Sequence, residues 1–230
     1  MTPVLEVEQL TFGFHSKRPV LSDISFRVEE GECVGILGAN GAGKSTLLWC
    51  LLGLYRASGV IRLFGAPATA AVRRRVGVVF QNPEDQLFMP AVLEDVALAL
   101  INCGVPGASA RQQAAAALER VGLAGAAERP ASQLSLGERK RAAIAAALVG
   151  SPDLLLLDEP TAELDGRSVR ELTGVLRRLP AARLIASHHL EFLGSVCTRI
   201  LVLCEARVTA EGATAEILSD AALLERAGLV

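Results

Sequence analysis

Aromatic residues are scarce in this chain. One tryptophan, one tyrosine and seven phenylalanines make up 4% of 230 residues, while half of the sequence is hydrophobic. The core must therefore be built from Leu, Val, Ile and Ala, and a chain of this size can bury enough of them to need neither disulfide nor metal. An excess of either charge is also missing. Lys and Arg number 23 against 25 Asp and Glu, a net charge of −2, which argues against a broad electrostatic grip on nucleic acid. The five cysteines, Cys33, Cys50, Cys103, Cys197 and Cys204, are odd in number and none lies in a CxxC pair. They read as small apolar core residues of a reducing compartment, not as a disulfide framework or zinc site. No run of about 18 apolar residues occurs. The longest such stretch, Ala142 to Val149, is far too short to span a bilayer. Met1 to Glu6 shows no basic region followed by an apolar stretch, so no secretory signal is expected. These absences lead to the expectation of a cytoplasmic protein that reaches a membrane, if at all, through a partner.

What is present is alternation. Cys33–Leu37, Val76–Phe80, Leu154–Leu157, Leu184–Ala186 and Ile200–Leu203 are short apolar runs separated by longer helical patterns. Continuous apolar strands between helices predict an α/β fold with a mainly parallel sheet covered on both faces. Ligands bind such sheets beyond the carboxyl ends of the strands. Val4 to Val28 instead alternates apolar and polar residues, predicting half-exposed antiparallel strands at the flank. From about Ala91 to residue 150 strands give way to Ala-rich helical patterns, as expected of a helical subdomain inserted into the core of one domain spanning 1–230.

Two motifs carry chemistry by their residue types. Gly38-Ala39-Asn40-Gly41-Ala42-Gly43-Lys44-Ser45 fits GxxxxGK[ST], and it lies between an expected strand and an expected helix, Ser45 to Leu52, which Gly53 would cap. Glycines let several N–H groups turn toward one phosphate, and the helix N-terminus adds positive potential. Lys44 would hold the β- and γ-phosphates of a nucleotide, Ser45 would ligate Mg²⁺, and Thr46 would donate to the α-phosphate. The competing reading is a glycine-rich turn before a core helix. Second, the strand Leu154–Leu157 ends in Asp158-Glu159. Asp158 would hold Mg²⁺ at the sheet edge, and Glu159 would accept a proton from an attacking water. A plain acidic turn before Pro160 is the alternative.

Ser135 and Glu138 fit the capping box S-x-x-E ahead of a helix expected over Arg139–Leu148. The same free N–H groups could bind an anion. At Leu134-Ser135-Leu136-Gly137-Glu138 the sequence resembles the ATP-binding-cassette family, whose signature is LSGGQ. Ser135 and Gly137 match its phosphate-contacting positions, whereas Leu136 and Glu138 depart from it. The resemblance covers essentially the whole chain and implies a P-loop ATPase with an N-terminal antiparallel β subdomain and an inserted helical subdomain. It implies that two cassettes pair head to tail, as a homodimer or with a close paralogue, each signature closing on the other's ATP. It also implies Gln81 as the glutamine that touches Mg²⁺ and the attacking water, and Asp165, in Ala162-Glu163-Leu164-Asp165, at the subunit junction. His188 would be the switch histidine at the γ-phosphate, and Phe14 the aromatic that stacks on adenine.

Gln81-Asn82-Pro83-Glu84-Asp85-Gln86-Leu87-Phe88, with Val92 to Ala97 and the run Arg207 to Gly212, resembles the energy-coupling-factor branch, particularly cobalt and nickel importers. An ATPase peripheral on the inner face of the membrane, docked on an integral-membrane coupling subunit, is what this implies. No nucleic-acid partner is expected. A vitamin importer of the same branch, a soluble cassette acting on DNA or ribosomes, and a non-hydrolysing regulator are the alternatives. His188 and His189 are adjacent and point apart on an extended chain, which argues against shared metal chelation; His189 stands where the family usually has Asp. His15 is expected in a surface turn. Arg73-Arg74-Arg75 and Arg139-Lys140-Arg141 read as solvated surface.

Overall fold

The computed structural model describes residues 3–14 and 19–229, so His15 lies outside the described residues. The N-terminal part is an antiparallel sheet of order β2-β1-β4-β5, formed by β1 (Leu5–Phe12), β2 (Leu21–Val28), β4 (Ser58–Leu63) and β5 (Ala66–Pro67). Alternation along β2 explains its exposure: Leu21, Ile24, Phe26 and Val28 are buried, while Asp23, Ser25 and Arg27 face out. The β4–β5 pair was not legible, because β4 buries only its last residue, Leu63.

The second sheet has the order β10-β9-β3-β8-β7-β6. Its members are β3 (Cys33–Leu37), β6 (Val76–Val79), β7 (Leu154–Asp158), β8 (Ala182–Ser187), β9 (Arg199–Cys204) and β10 (Arg207–Ala213). Five of these run parallel, and β10 closes one edge antiparallel to β9. Successive residues of β7 enter different cores. Leu154 and Leu156 pack with the antiparallel sheet and with α1 (Lys44–Leu51), whereas Leu155 and Leu157 pack with the helices on the other face. Burial on both faces is why this strand carries no polar residue until Asp158.

A short α2 (Ala70–Arg73) precedes β6. Between β6 and β7 stand α3 (Val92–Asn102), α4 (Gly107–Arg120) and α5 (Leu136–Leu148). Small buried residues, Ala110, Ala114 and Ala117 of α4 with Ala142, Ala143 and Ala145 of α5, belong to the same core as Val96 and Leu100 of α3. Helix α5 begins three residues earlier than expected, because Ser135 is its N-cap and the residues after it are already helical. The fold is completed by α6 (Gly166–Arg177), α7 (Leu190–Val196), α8 (Thr214–Ser219) and α9 (Ala221–Arg226). Cys33, Cys50 and Cys197 are buried as expected, but Cys103 is exposed, since it sits at the C-cap of α3 beyond the helix's apolar stripe. Among the described residues no helix is long and apolar enough to cross a membrane.

Strand register brings the carboxyl ends of four strands to one edge. Leu37 lies opposite Ser187, Asp158 opposite Ala186, and Val79 opposite Leu157. The ends of β3, β8, β7 and β6 are therefore level, with β3 separated from β7 by a single strand.

Candidate active site

The loop after β3 is shaped by close approach. A Cβ on Gly38 would stand 2.6 Å from the Leu203 carbonyl oxygen of β9, so a side chain has no room there. Gly43 has φ +102, in the left-handed region that favours glycine, and is the N-cap of α1. No side chain caps this helix and its first turn holds no acidic residue. The N–H groups of the turn, with Ser45 and Thr46 on it, thus remain available to an anion favoured by the helix dipole. Asn40 and Gly41 are the exposed tip, flanked by Ala39 and Ala42. Lys44 folds back over the loop, its buried ammonium donating to the carbonyls of Gly38 (2.7 Å) and Ala39 (3.1 Å).

Asp158 and Glu159 differ sharply despite adjacency. Asp158 ends β7, and its buried Oδ1 has no hydrogen-bond partner. Burial pushes its carboxyl above the ordinary range, opposed by the Ser45 hydroxyl. Glu159 takes φ +42, a left-handed conformation costing a non-glycine residue about 1 kcal/mol or more. Its carboxylate is 3.0 Å from Lys44 Nζ, accepts from Ser187 Oγ at 3.1 Å, and meets His188 Nδ1 at 3.0 and 3.1 Å. Burial alone would raise its pKa, but the bonds and charges of His188 and Lys44 outweigh burial and hold it below the ordinary carboxylate range. The two histidines part company: His188 turns to Glu159, while the ring of His189 lies 6.3 Å from that of Phe192.

Gln81, exposed after β6, borders a cleft of about 370 Å³ together with Ser45, Trp49, Asp158, Lys140 and Glu163. A larger groove, about 570 Å³, lies at the opposite ends of the strands, near Glu30, Arg75, Asp153 and Pro180, far from these groups. The loop after Gln81 is pinned by Gln86, which donates to Val78 O and Ala143 O, and by Asp95, which accepts from the N–H groups of Phe88 and Met89.

The reading of Arg139-Lys140-Arg141 as solvated surface is corrected at its centre. Lys140 is 2% exposed, and its ammonium donates to the carbonyls of Gln81 and Glu159. Spacing was the available signal, since Lys140 shares a helical stripe with the buried Gly137, Ala143 and Ile144. Ser187, fully buried at the end of β8, was also missed; it is the one polar residue closing an otherwise apolar run before His188.

The other expected positions lie elsewhere. Ser135 and Glu138 form the full capping box: Ser135 N–H and Oγ–H both donate to Glu138 Oε2 at 2.8 Å, and Glu138 N–H donates to Ser135 Oγ at 3.3 Å. A Cβ on Gly137 would come within 2.7 Å of Ser168 Oγ, so a side chain here would require Ser168 of α6 to shift. Asp165 caps α6, accepting from Ser168 N–H at 2.7 Å. Phe14 is 59% exposed and meets Phe12 and Tyr55 edge to face, at 5.0 and 5.4 Å between ring centres.

A glycine loop on an uncapped helix, with an acidic pair two strands away on the same sheet edge, defines a P-loop nucleotide-binding fold. A family model described as ABC transporter matches residues 21–162, and the chain belongs to this family as an ABC ATPase. It is 41% identical over 239 residues to the cobalt import ATP-binding protein CbiO of Rhodobacter capsulatus, covering 100% of this chain and 85% of that protein. It is 40% identical over 247 residues to the nickel import ATP-binding protein NikO of the same organism, covering 100% and 97%. The solved structure of cbiO1 from Clostridium perfringens, described as part of the ABC transporter complex cbiONQ, superposes with a TM-score of 0.87 at 32% identity, covering 100% of this chain and 96% of that one.

Proposed function

We propose that this chain is the ATP-hydrolysing motor of an energy-coupling-factor importer for cobalt or nickel ions, peripheral on the cytoplasmic face of the membrane. Support for the transported ion comes from relatives named for cobalt and nickel import that align along the full chain. One observation carries hydrolysis rather than binding alone: Glu159, in a strained conformation, has its carboxylate held by Lys44, Ser187 and His188.

The α1 N-terminus with Gly38, Ala39, Asn40, Gly41, Ala42 and Gly43 cradles the phosphates, Lys44 binds the β- and γ-phosphates, and Thr46 donates to the α-phosphate. Phe14 offers an exposed ring to adenine. The residues fit Mg²⁺, because the unpartnered Asp158 Oδ1 lies beside Ser45, and Ser45, Asp158 and Gln81 would hold the ion. When bound, it would neutralise charge on the phosphate oxygens. Glu159 takes a proton from water as the water oxygen bonds to the γ-phosphorus and the bond to the bridging oxygen of ADP breaks. His188 keeps Glu159 oriented and meets the γ-phosphate. Ser135 and Gly137 serve the nucleotide of a second cassette, with Asp165 at the junction. Within the single domain, the helical segment of about residues 91–150 carries that signature, and an integral-membrane subunit uses the closing motion.

The test is Mg-ATPase activity and cobalt or nickel uptake in cells carrying the chain with its membrane subunits. Glu159→Gln is expected to lose turnover by about 10³-fold while still binding ATP, and uptake should stop with it. Undiminished turnover in that variant overturns the assignment of Glu159. Uptake of neither ion, with ATPase intact, overturns the cargo.

A further inference from the structure

Lys140 is among the largest side chains buried almost completely in the described residues. An ammonium is a costly way to fill space, since desolvation opposes it and a methionine would occupy similar volume. Its partners show what it adds. Gln81 follows β6 and Glu159 follows β7, and the Lys140 ammonium donates to both of their backbone carbonyls, at 3.3 Å in the case of Glu159. One group on α5 thereby clasps the ends of two neighbouring strands where the reacting groups stand.

Glu159 needs such a clasp. A non-glycine residue at φ +42 persists only when its surroundings over-determine it. Its N–H donates to Ala186 O of β8 at 2.8 Å, its side chain is held from β8 and α1, and its carbonyl is held from α5 by Lys140. Only the last of these ties the residue to the helix that begins at Ser135.

We propose that Lys140 is a positioning residue for ATP hydrolysis, holding the Gln81 loop and the Glu159 peptide in one register and linking both to the N-terminus of α5. Its ammonium is directed at the Gln81 and Glu159 carbonyls, so it acts through the two residues it holds. This rests on the reading of Glu159 as the base. In a pair of cassettes it has a consequence: α5 meets one nucleotide at its N-cap and, five residues on, sets the geometry at the other. Displacing the signature would then misplace Gln81 and Glu159 in the same chain.

The experiment compares Lys140→Met, Lys140→Ala and Glu159→Gln in the full chain with its membrane subunits. It measures kcat, affinity for a fluorescent ATP analogue, and melting temperature. Lys140→Met keeps the volume and removes two charge-assisted donors, so kcat should fall about 30-fold while nucleotide affinity stays within about threefold. Lys140→Ala should behave alike and recover at least about a third of the lost turnover in millimolar ethylammonium, which can enter the cleft beside Gln81, but not in ethanol. A kcat for Lys140→Met within twofold of wild type, with Glu159→Gln inactive, overturns the proposal alone. Loss of kcat in step with affinity or melting temperature, without rescue by ethylammonium, overturns it too, by reducing Lys140 to a structural residue. Turnover persisting in Glu159→Gln overturns the base assignment and this role together.

Discussion

The two helix N-termini proposed above to meet phosphate, those of α1 and α5, are finished in opposite ways. Helix α1 starts at Gly43 with no side-chain cap, no acid in its first turn and a lysine as its first residue. Helix α5 starts at Ser135 with a reciprocal capping box that places the Glu138 carboxylate on the cap itself. The first terminus is incomplete without a ligand. The second is complete within its own turn, and its serine hydroxyl must leave Glu138 before it can donate to a phosphate. On the proposed function, nucleotide binding to one chain would depend on α1, and α5 would enter when a second cassette brings a phosphate to it.

The largest effect that would break this contrast is expected at α1. Lys44→Ala should weaken ATP binding by on the order of 100-fold, since a charge-assisted donor is lost where phosphate charge concentrates. It should also lower the melting temperature at neutral pH, because Glu159 loses a partner 3.0 Å away inside the protein. The sign with pH follows from the carboxyl's depressed pKa. The stabilisation is present above the ordinary carboxylate range and is lost as pH falls through the depressed value. The gap in melting temperature between wild type and Lys44→Ala should therefore narrow on acidification. Thermal melts near pH 7 and pH 4 check this, and a gap that widens would contradict it.

Asp158 sharpens the same region from the other side. Its folded pKa is raised, so its ionised form destabilises the fold above that value, and stability recovers as pH falls through it. Asp158→Asn should remove that dependence, stabilise the protein at neutral pH by about 1 kcal/mol, and still cost hydrolysis about 100-fold. Melting curves and ATPase rates on the same preparation test both signs together.

How much of this could be read beforehand depended on whether a residue's task is local. The strands β3, β7, β8 and β9 were legible because burial on two faces leaves apolar runs with no other explanation. The phosphate loop and Asp158-Glu159 were legible because their chemistry sits within a few consecutive residues. The capping box at Ser135 and Glu138 was too. Lys140 and Ser187 were not, since a lysine between two arginines and a serine after an alanine look ordinary until the fold brings them to Glu159. The β4–β5 pair escaped for the opposite reason, having almost no buried residue to betray it.

If α5 serves the partner's nucleotide, defects in α1 and in α5 should complement each other across chains. Lys44→Ala and Ser135→Arg, each inactive alone, should recover about a quarter of wild-type turnover when mixed and allowed to exchange, because half the pairs are mixed and each mixed pair keeps one intact site. A single-chain site gives no recovery. Measuring ATPase activity against mixing ratio separates the two arrangements.

The smallest expected effect tests the cap alone. In Glu138→Gln the capping box persists, because glutamine at that position can still accept from the Ser135 N–H. What changes is charge. The carboxylate is held below the ordinary range by the Ser135 N–H and hydroxyl, so it is ionised at neutral pH and stands at a cap proposed to meet a phosphate. Replacing it removes a favourable interaction with the α5 dipole, on the order of 0.3–1 kcal/mol at an exposed site. It also removes a like charge facing the incoming anion and weakens the hold on the serine hydroxyl. Stability and apparent affinity for ATP should therefore move in opposite directions. Melting temperature should fall slightly, while the ATP concentration needed for half-maximal turnover of the paired cassettes should drop about two- to threefold. If the half-maximal ATP concentration is unchanged or rises while the melting temperature falls, the cap is only a cap, and the contrast between the two helix termini has no bearing on catalysis.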